Sequence, residues 1–349
     1  MADFPPGVVI TDQIATAVAK YLSAHQFSML GVLVDDNTFK YCYPLIQESL
    51  PQHFIIEIAS GETHKNLQTC QQIWNEMTHQ HMDRGSILIN LGGGVIGDMG
   101  GFCAAIFKRG IRFVNIPTTL LAQVDASVGG KLGIDFQDYK NHLGVFQHPE
   151  RVLISTLFLN TLPFNELRSG FAEVLKHALI SDAEYWHKII QADWQSQDWA
   201  QHVEHSVEIK SGVVKQDPQE SGLRKILNFG HTVGHAIEKE YLSTANPFLH
   251  GEAIAIGMIC EAYLSHRKTT LGKEHLMAIT QQILKWFGNT SLDPSLVSPI
   301  AQNTLQDKKN TNGKIKCSLL EGIGQATFDI EVTLEEVKEA LEYYQEQAV

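Results

Sequence analysis

Two histidines stand four residues apart in the stretch Leu227-Asn228-Phe229-Gly230-His231-Thr232-Val233-Gly234-His235-Ala236-Ile237-Glu238. On a helix that spacing puts both imidazoles on one face, one turn apart. Asn228, three residues before His231, would extend the same face. His250 opens a second small-residue run, His250-Gly251-Glu252-Ala253, and Glu173 lies earlier in Gly170-Phe171-Ala172-Glu173-Val174-Leu175-Lys176-His177. Imidazoles and a carboxylate on apolar helices are the donor set of a divalent metal site with room for a substrate. A lone histidine in an apolar helix is more often a hydrogen-bonded core residue. Three with a carboxylate point toward a metal, and spacing alone does not decide between the two.

A second group of residues suits anions. Leu91-Gly92-Gly93-Gly94-Val95-Ile96-Gly97-Asp98-Met99-Gly100-Gly101 follows an apolar run and opens a helical pattern. Glycines there admit a ligand close to the backbone, and helix N-terminal amides attract a pyrophosphate. The spacing is not GxGxxG, so the generic dinucleotide fingerprint does not apply. A tight strand–helix turn is the bland alternative, and six glycines exceed what such a turn needs. Pro117-Thr118-Thr119 through Asp125 and Gly129-Gly130-Lys131 places hydroxyls, a carboxylate and a lysine beyond another apolar run, with Lys140 and Asn141 soon after. Lys210, Arg224, Lys225 and the loop Asp307–Gly313 add positive charge, each of which alone would be a solvated face.

The elements that must position these groups follow from periodicity. About the first 25 residues are expected to form a helix, capped by Thr11 or Asp12, with Ile14, Val18 and Leu22 on its apolar face. Apolar runs at Phe27–Asn37, His53–Ala59, Ser86–Leu91 and Ile111–Pro117 read as buried parallel strands separated by helical patterns. That alternation implies a Rossmann-like, doubly wound α/β domain over residues 1–162. From 163 to 349 the periodicity is mainly helical, with a short hairpin at Lys314–Leu320 and Gln325–Ile330 and a last helix behind the capping box Thr333–Glu336.

Composition bounds the partners. The 349 residues carry 44% hydrophobic and 19% charged side chains, and the net charge is −12. Such a balance argues against nucleic acid or an anionic membrane as partner. Five widely spaced cysteines without a CxxC pair suit a reducing compartment, and Met1–Pro6 shows no secretory pattern, so a cytoplasmic protein is expected. Ile87–Phe107 is apolar but interrupted by glycines, Asn90 and Asp98, which suits strand, turn and helix better than a membrane span.

Taken together these motifs resemble the 3-dehydroquinate synthases of the shikimate pathway, with Arg109-Gly110-Ile111, Lys140-Asn141, Ala172–Lys176 and Asp307-Lys308-Lys309 completing the match along nearly the whole chain. The resemblance implies a divalent metal, zinc or cobalt, held by Glu173, His231 and His250, with His235 as a catalytic histidine. It implies an NAD site from Asp35, Asn37, Glu62, Lys65, Gly94, Asp98, Thr118, Thr119 and Asp125, with Lys131 and Lys140 adjoining. Contacts to a sugar-phosphate substrate are implied for Lys131, Lys140, Asn141, Lys176, Lys210, Arg224, Asn228 and a lysine of the Lys308-Lys309 pair. Lys131, Asn141 and Arg109 are counted among the catalytic groups, and Arg109 would act across a homodimer interface. The implied reaction converts 3-deoxy-D-arabino-heptulosonate 7-phosphate to 3-dehydroquinate and phosphate.

One stretch departs from the family pattern. Where the family often reads Gly-Gly-Lys-Thr-Gly and later Gly-Lys-Asn, this chain has Gly130-Lys131-Leu132-Gly133 and Tyr139-Lys140-Asn141. Sister cyclases acting on other sugar phosphates differ in such loops and stay open as an alternative. So do a metal-dependent alcohol or glycerol dehydrogenase and a non-catalytic metal- or nucleotide-binding protein.

Overall fold

The computed structural model describes residues 7–137, 139–242, 244, 246–305 and 314–348. The chain forms two compact units, Met1–Pro163 with Trp199–Ser211, and Phe164–Asp198 with Gly212–Val349.

In the first unit the order is β1 (Val8–Ile10), α1 (Ile14–Ala24), β2 (Leu30–Asp35), α2 (Asp36–Tyr41), β3 (Phe54–Ile58), α3 (Leu67–His79), β4 (Ile87–Gly92), α4 (Gly94–Ile106), β5 (Arg112–Pro117), β6 (Lys131–Phe136), β7 (Tyr139–Phe146) and β8 (Arg151–Ile154). Six strands make one parallel sheet in the order β1-β8-β5-β4-β2-β3. The order reverses between β2 and β4, which makes the sheet doubly wound and marks the crevice where such sheets bind ligands. Strand side chains alternate between two cores. Leu33, Leu88 and Phe113 join the helices α3 and α4 on one face. Val32, Val34, Ile87, Ile89 and Val114 join α1 on the other. Burial on both faces is why these strands read as continuous apolar runs.

One expectation for this unit is corrected and one element is added. The first residues are not all helix: Val8–Ile10 forms an edge strand in register with Val152–Ile154. Helix α1 starts only at Ile14, with Gln13 at its N-cap, while Thr11 Oγ1 accepts from Gln13 N at 3.0 Å. The addition is an antiparallel hairpin, β6 against β7, which sequence periodicity left unassigned.

The rest of the chain supplies α5 (Phe164–Ser181), α6 (Ala183–Gln191), α7 (Trp199–Gln216), α8 (His231–Tyr241), α9 (His250–Lys268), α10 (Lys273–Phe287), α11 (Val297–Thr304), the hairpin β9 (Ile315–Gly322) and β10 (Gln325–Val332), and α12 (Leu334–Gln347). Thr333 caps α12 through the expected box with Glu336. A division by chain order at 162 and 163 leaves Trp199–Ser211 in the helical half, whereas in space that stretch groups with the sheet. Helix α9 is buried along almost all its length and packs against α5, α8, α10 and α12. Among the described residues, no helix is long and apolar enough to cross a membrane. All five cysteines are buried.

Candidate active site

The second unit gathers the metal-type ligands. Glu173 lies in the fully buried stretch of α5. One of its oxygens, Oε2, accepts from the ammonium of Lys176 one turn on, so two buried charges are paired. The other, Oε1, is buried with no hydrogen-bond donor among the described residues, yet faces His231 Nε2 at 3.5 Å and His250 Nε2 at 3.9 Å. These separations are long for hydrogen bonds, which cluster near ~2.9 Å. Two ligands about 2.1 Å from one tetrahedral ion sit roughly 3.4 Å apart. The donor set and its spacing therefore fit a divalent ion.

Local structure explains why the histidines face this way. Helix α8 begins at His231 because Gly230 takes a left-handed conformation at φ +81°. A Cβ there would also lie 2.6 Å from Met258 Cγ, so both backbone and space demand glycine. The N-cap residue Gly230 has no side chain with which to cap α8. The cap comes instead from α9, where the buried Glu261 carboxylate accepts from Gly230 N at 2.7 Å and Val233 N at 3.0 Å. An anion at this end also complements the helix dipole. His231 Nδ1 is turned toward Phe229 O at 3.2 Å, which leaves Nε2 for Glu173. His235 follows one turn later and is exposed, its ring 5.0 Å from that of His231 and 5.8 Å from that of His250. Ligand-type nitrogens of the three imidazoles all lie within 4.8 Å of one another.

Glycines let the helices come close enough. A Cβ on Gly251 would meet Ser169 O of α5 at 1.9 Å, and one on Gly257 would meet Gly230 O at 2.0 Å. The small residues beside His250 are therefore packing requirements as much as site features.

The first unit holds a different chemistry. At the carboxyl end of β4, a small open recess is lined by Asn90, Gly93, Gly94, Gly97, Asp98 and Asn115, among others. The glycine-rich stretch divides by role. Cβ atoms on Gly94 and Gly97 would find no neighbour closer than 3.5 Å and 3.8 Å, so these positions open onto the recess. Gly100 and Gly101 serve packing, since Cβ atoms there would meet Asn90 Oδ1 at 2.1 Å and Leu132 Cδ2 at 2.5 Å. Lys65 is buried beside the recess and donates to Asp98 Oδ2 and Asn141 Oδ1, both at 2.7 Å. Burial favours a neutral amine, but the carboxylates of Asp98, Glu62 and Asp135 outweigh it and hold Lys65 above its ordinary pKa.

A model of the 3-dehydroquinate synthase N-terminal domain matches residues 55–169, and one of the C-terminal domain matches residues 170–310. A 3-dehydroquinate synthase of Parabacteroides distasonis is 38% identical over 344 residues, covering 97% of this chain and 98% of its own length. The chain belongs to the 3-dehydroquinate synthase family. Among solved structures, a 2-epi-5-epi-valiolone synthase from Streptomyces hygroscopicus with NAD+ and Zn2+ bound is 26% identical, with a TM-score of 0.87 and coverage of 99% of this chain and 98% of that one. A 2-deoxy-scyllo-inosose synthase complexed with carbaglucose-6-phosphate, NAD+ and Co2+ shares the fold at a TM-score of 0.83 and 23% identity, covering 98% of each chain.

The remaining residues implied by the likeness to 3-dehydroquinate synthases fall as follows. Asp35 caps α2, accepting from Thr38 N at 2.7 Å, with Asn37 exposed beside it. Lys140 lies 3.8 Å from Glu62, and Asn141 adopts φ +50° while its N–H donates to Asp135. Thr118 is buried at the end of β5, and Thr119 Oγ1 accepts from Ala122 N. Lys131 opens β6 directly after Gly130, whose φ is +67°. Lys210 belongs to the sheet unit, not the helical one, and bonds Asp125 through Oδ1 at 2.8 Å and the backbone O at 2.6 Å. Arg109 is exposed on a turn where Lys108, Arg109 and Gly110 all have positive φ, at 51°, 68° and 107°. Two non-glycine residues held there cost roughly 1–2 kcal/mol each. Lys308 and Lys309 lie outside the described residues.

Asn228 needs a correction. It ends a 3₁₀ turn at Leu223–Asn228, not the first turn of α8, and its amide donates to Glu220 at 2.8 Å. Arg224 sits in the same buried loop, its N–H donating to Asp217 Oδ2 at 3.0 Å. Asp217 was not singled out by sequence, although its carboxylate also accepts from Ser221 N and Gly222 N. The signal lay in Asp217-Pro218 followed by Ser221-Gly222, a turn-forming run. Glu261 left no trace in periodicity, because it serves a helix other than its own.

Proposed function

We propose that the protein is a 3-dehydroquinate synthase, converting 3-deoxy-D-arabino-heptulosonate 7-phosphate to 3-dehydroquinate and phosphate in aromatic amino acid biosynthesis. The observation that carries this reading is the buried Glu173 Oε1, without a hydrogen-bond donor among the described residues and set 3.5 and 3.9 Å from two imidazole nitrogens, in a chain 38% identical to a relative of that name along nearly its whole length. The overall conversion is transient oxidation of a substrate hydroxyl, β-elimination of phosphate, re-reduction and intramolecular aldol cyclisation. When bound, NAD accepts and returns the hydride, while a divalent ion, zinc or cobalt, acts as Lewis acid toward the hydroxyls. The valiolone synthase with NAD+ and Zn2+ bound supports that pairing.

Each part of the chain then has a task. Glu173, His231 and His250 hold the ion. His235, exposed and one turn beyond His231, carries the proton released from the hydroxyl, the general acid–base role an imidazole most often fills. Gly94 and Gly97 admit the dinucleotide to the amides at the start of α4. Asp35, Asn37, Glu62, Asp98, Thr118, Thr119 and Asp125 complete the nucleotide site, and Lys65 orders Asp98 and Asn141. Lys131, Lys140, Asn141, Lys176, Lys210, Arg224, Asn228 and the Lys308-Lys309 pair hold the carboxylate and phosphate ends, which orients the chain for ring closure. Arg109 acts across a homodimer interface.

A phosphate-release assay with the heptulosonate phosphate and catalytic NAD tests the reading. Many turnovers of phosphate per NAD, without accumulation of NADH, are expected. Turnover of sedoheptulose 7-phosphate or a hexose phosphate in its place would make the protein a sister cyclase, the reading favoured by the valiolone synthase likeness. Net NADH formation from glycerol would make it a dehydrogenase. Bound metal with neither activity would leave a binding protein.

A further inference from the structure

We infer that Glu238 is a positioning residue for the metal centre, orienting His250 and strengthening it as a ligand; the inference rests on the metal site proposed above. The two ligand histidines face the same problem. Each is the first residue of its helix, so neither can turn its ring against a carbonyl of a preceding helical turn. His231 solves it locally, with Nδ1 toward Phe229 O at 3.2 Å. For His250 the neighbour comes from another helix: Nδ1 lies 3.4 Å from Glu238 Oε2, while Nε2 lies 3.9 Å from Glu173 Oε1.

Three features make this contact more than a passing ion pair. Glu238 is buried, at 7% exposure, and a buried carboxylate is costly unless it is put to use. It stands seven residues after His231 and three after His235, so α8 presents ligand, proton carrier and orienting carboxylate along one face. Its oxygen meets the ring nitrogen opposite the one that faces Glu173, which fixes the proton on Nδ1 and leaves the Nε2 lone pair for an ion. A carboxylate behind an imidazole also raises its donor strength, an effect a neutral carbonyl supplies less of. Helix α8 thus acts on both histidine ligands, one carried directly and one held through Glu238.

Metal affinity separates this role from a purely structural one. Metal-free wild type, Glu238→Gln, Glu238→Ala and Glu173→Ala are titrated with Zn2+ and Co2+ against a chromophoric chelator, and the visible bands of bound Co2+ are recorded. Circular dichroism and the denaturation midpoint of each metal-free protein are measured alongside. One equivalent of metal should bind to wild type and to both Glu238 variants, with affinity weakened about 10-fold in Glu238→Gln and up to about 100-fold in Glu238→Ala. The Co2+ bands should shift in both. Glu238→Gln, nearly the same shape, decides the matter if the alanine variant does not fold. Wild-type affinity and unchanged Co2+ bands in Glu238→Gln, with binding lost in Glu173→Ala, would overturn the role of Glu238 and leave the metal site standing. Equal binding by wild type and Glu173→Ala, or no binding by wild type, would remove the metal site itself and this inference with it.

Discussion

Replacing Gly251 by alanine tests whether close backbone contact sets the carboxylate–imidazole geometry. The added Cβ would lie 1.9 Å from Ser169 O and 2.6 Å from Ser169 Cα, where ordinary contact begins at 3.4 Å. These are backbone atoms of α5, so no side chain can swing aside; α5 and α9 must part by roughly 1.5 Å, the shortfall that close packing forbids. Ser169 is one turn before Glu173, and Gly251 is next to His250, so the movement falls on the ligand pair. Their 3.9 Å separation then opens to about 5 Å, against roughly 3.4 Å for two ligands on one ion. Overpacking costs about 1–3 kcal/mol. Weakening the bond from Gly251 N to Ser169 Oγ, now 2.9 Å, adds about 1 kcal/mol, and better helix propensity returns a similar amount. Net destabilisation of about 1–3 kcal/mol is expected by denaturant unfolding of the metal-free protein. Metal affinity should fall by more than about 100-fold, beyond what loss of an outer partner costs. A matched control points the other way: a Cβ on Gly212 in α7 would meet no described atom within 4 Å outside its own helical backbone, so Gly212→Ala should stabilise by up to about 1 kcal/mol. Wild-type affinity and stability in Gly251→Ala would refute the reasoning.

Glu261→Ala should destabilise by about 3 kcal/mol or more, since two buried N–H groups at the start of α8 lose a charged acceptor worth about 1–3 kcal/mol each; Glu261→Gln should lose less, and equal unfolding midpoints for all three proteins would exclude the capping role. Burial acts to raise the Asp217 carboxyl, but the N–H groups of Gly222, Ser221 and Arg224 and the Ser221 hydroxyl outweigh it and bring it down to about 2. Because the folded value lies below the ordinary 3.8, the stability Asp217 adds is full above that pH and is lost as pH falls toward 2. The difference in unfolding midpoint between wild type and Asp217→Asn should therefore be constant from neutral pH to about pH 5 and shrink below pH 4; a constant difference down to pH 3 would contradict this. His235→Ala should retain one equivalent of metal while turnover drops by about 100-fold or more, and undiminished turnover would remove His235 as proton carrier.

Much of the architecture can be read from local pattern. Strands β2, β4 and β5 are legible because both faces of the sheet are covered, which forces near-continuous runs such as Ile87–Leu91. Helix α12 is legible because Thr333 and Glu336 satisfy each other's neighbouring N–H groups within four residues. Legibility fails where partners are distant. Strand β1 has three residues and takes its identity from β8, far along the chain. The hairpin β6–β7 carries glycines at paired positions 133 and 144, so neither alternation nor strand propensity announces it.

For the site, the division has one physical cause. Spacing of three or four residues constrains groups only within one helix, and it suffices to put His231, His235 and Glu238 on one face of α8. Residue types likewise suffice to nominate Glu173 and His250. Which carboxylate meets which imidazole is a matter of where helices cross. Glu173, Glu238, Glu252 and Glu261 are equally plausible anions in a linear chain, yet the crossings give them four tasks: facing both histidines, holding His250, binding Arg168, and capping α8. Gly251 and Gly257, whose missing side chains allow those crossings, settle the assignment.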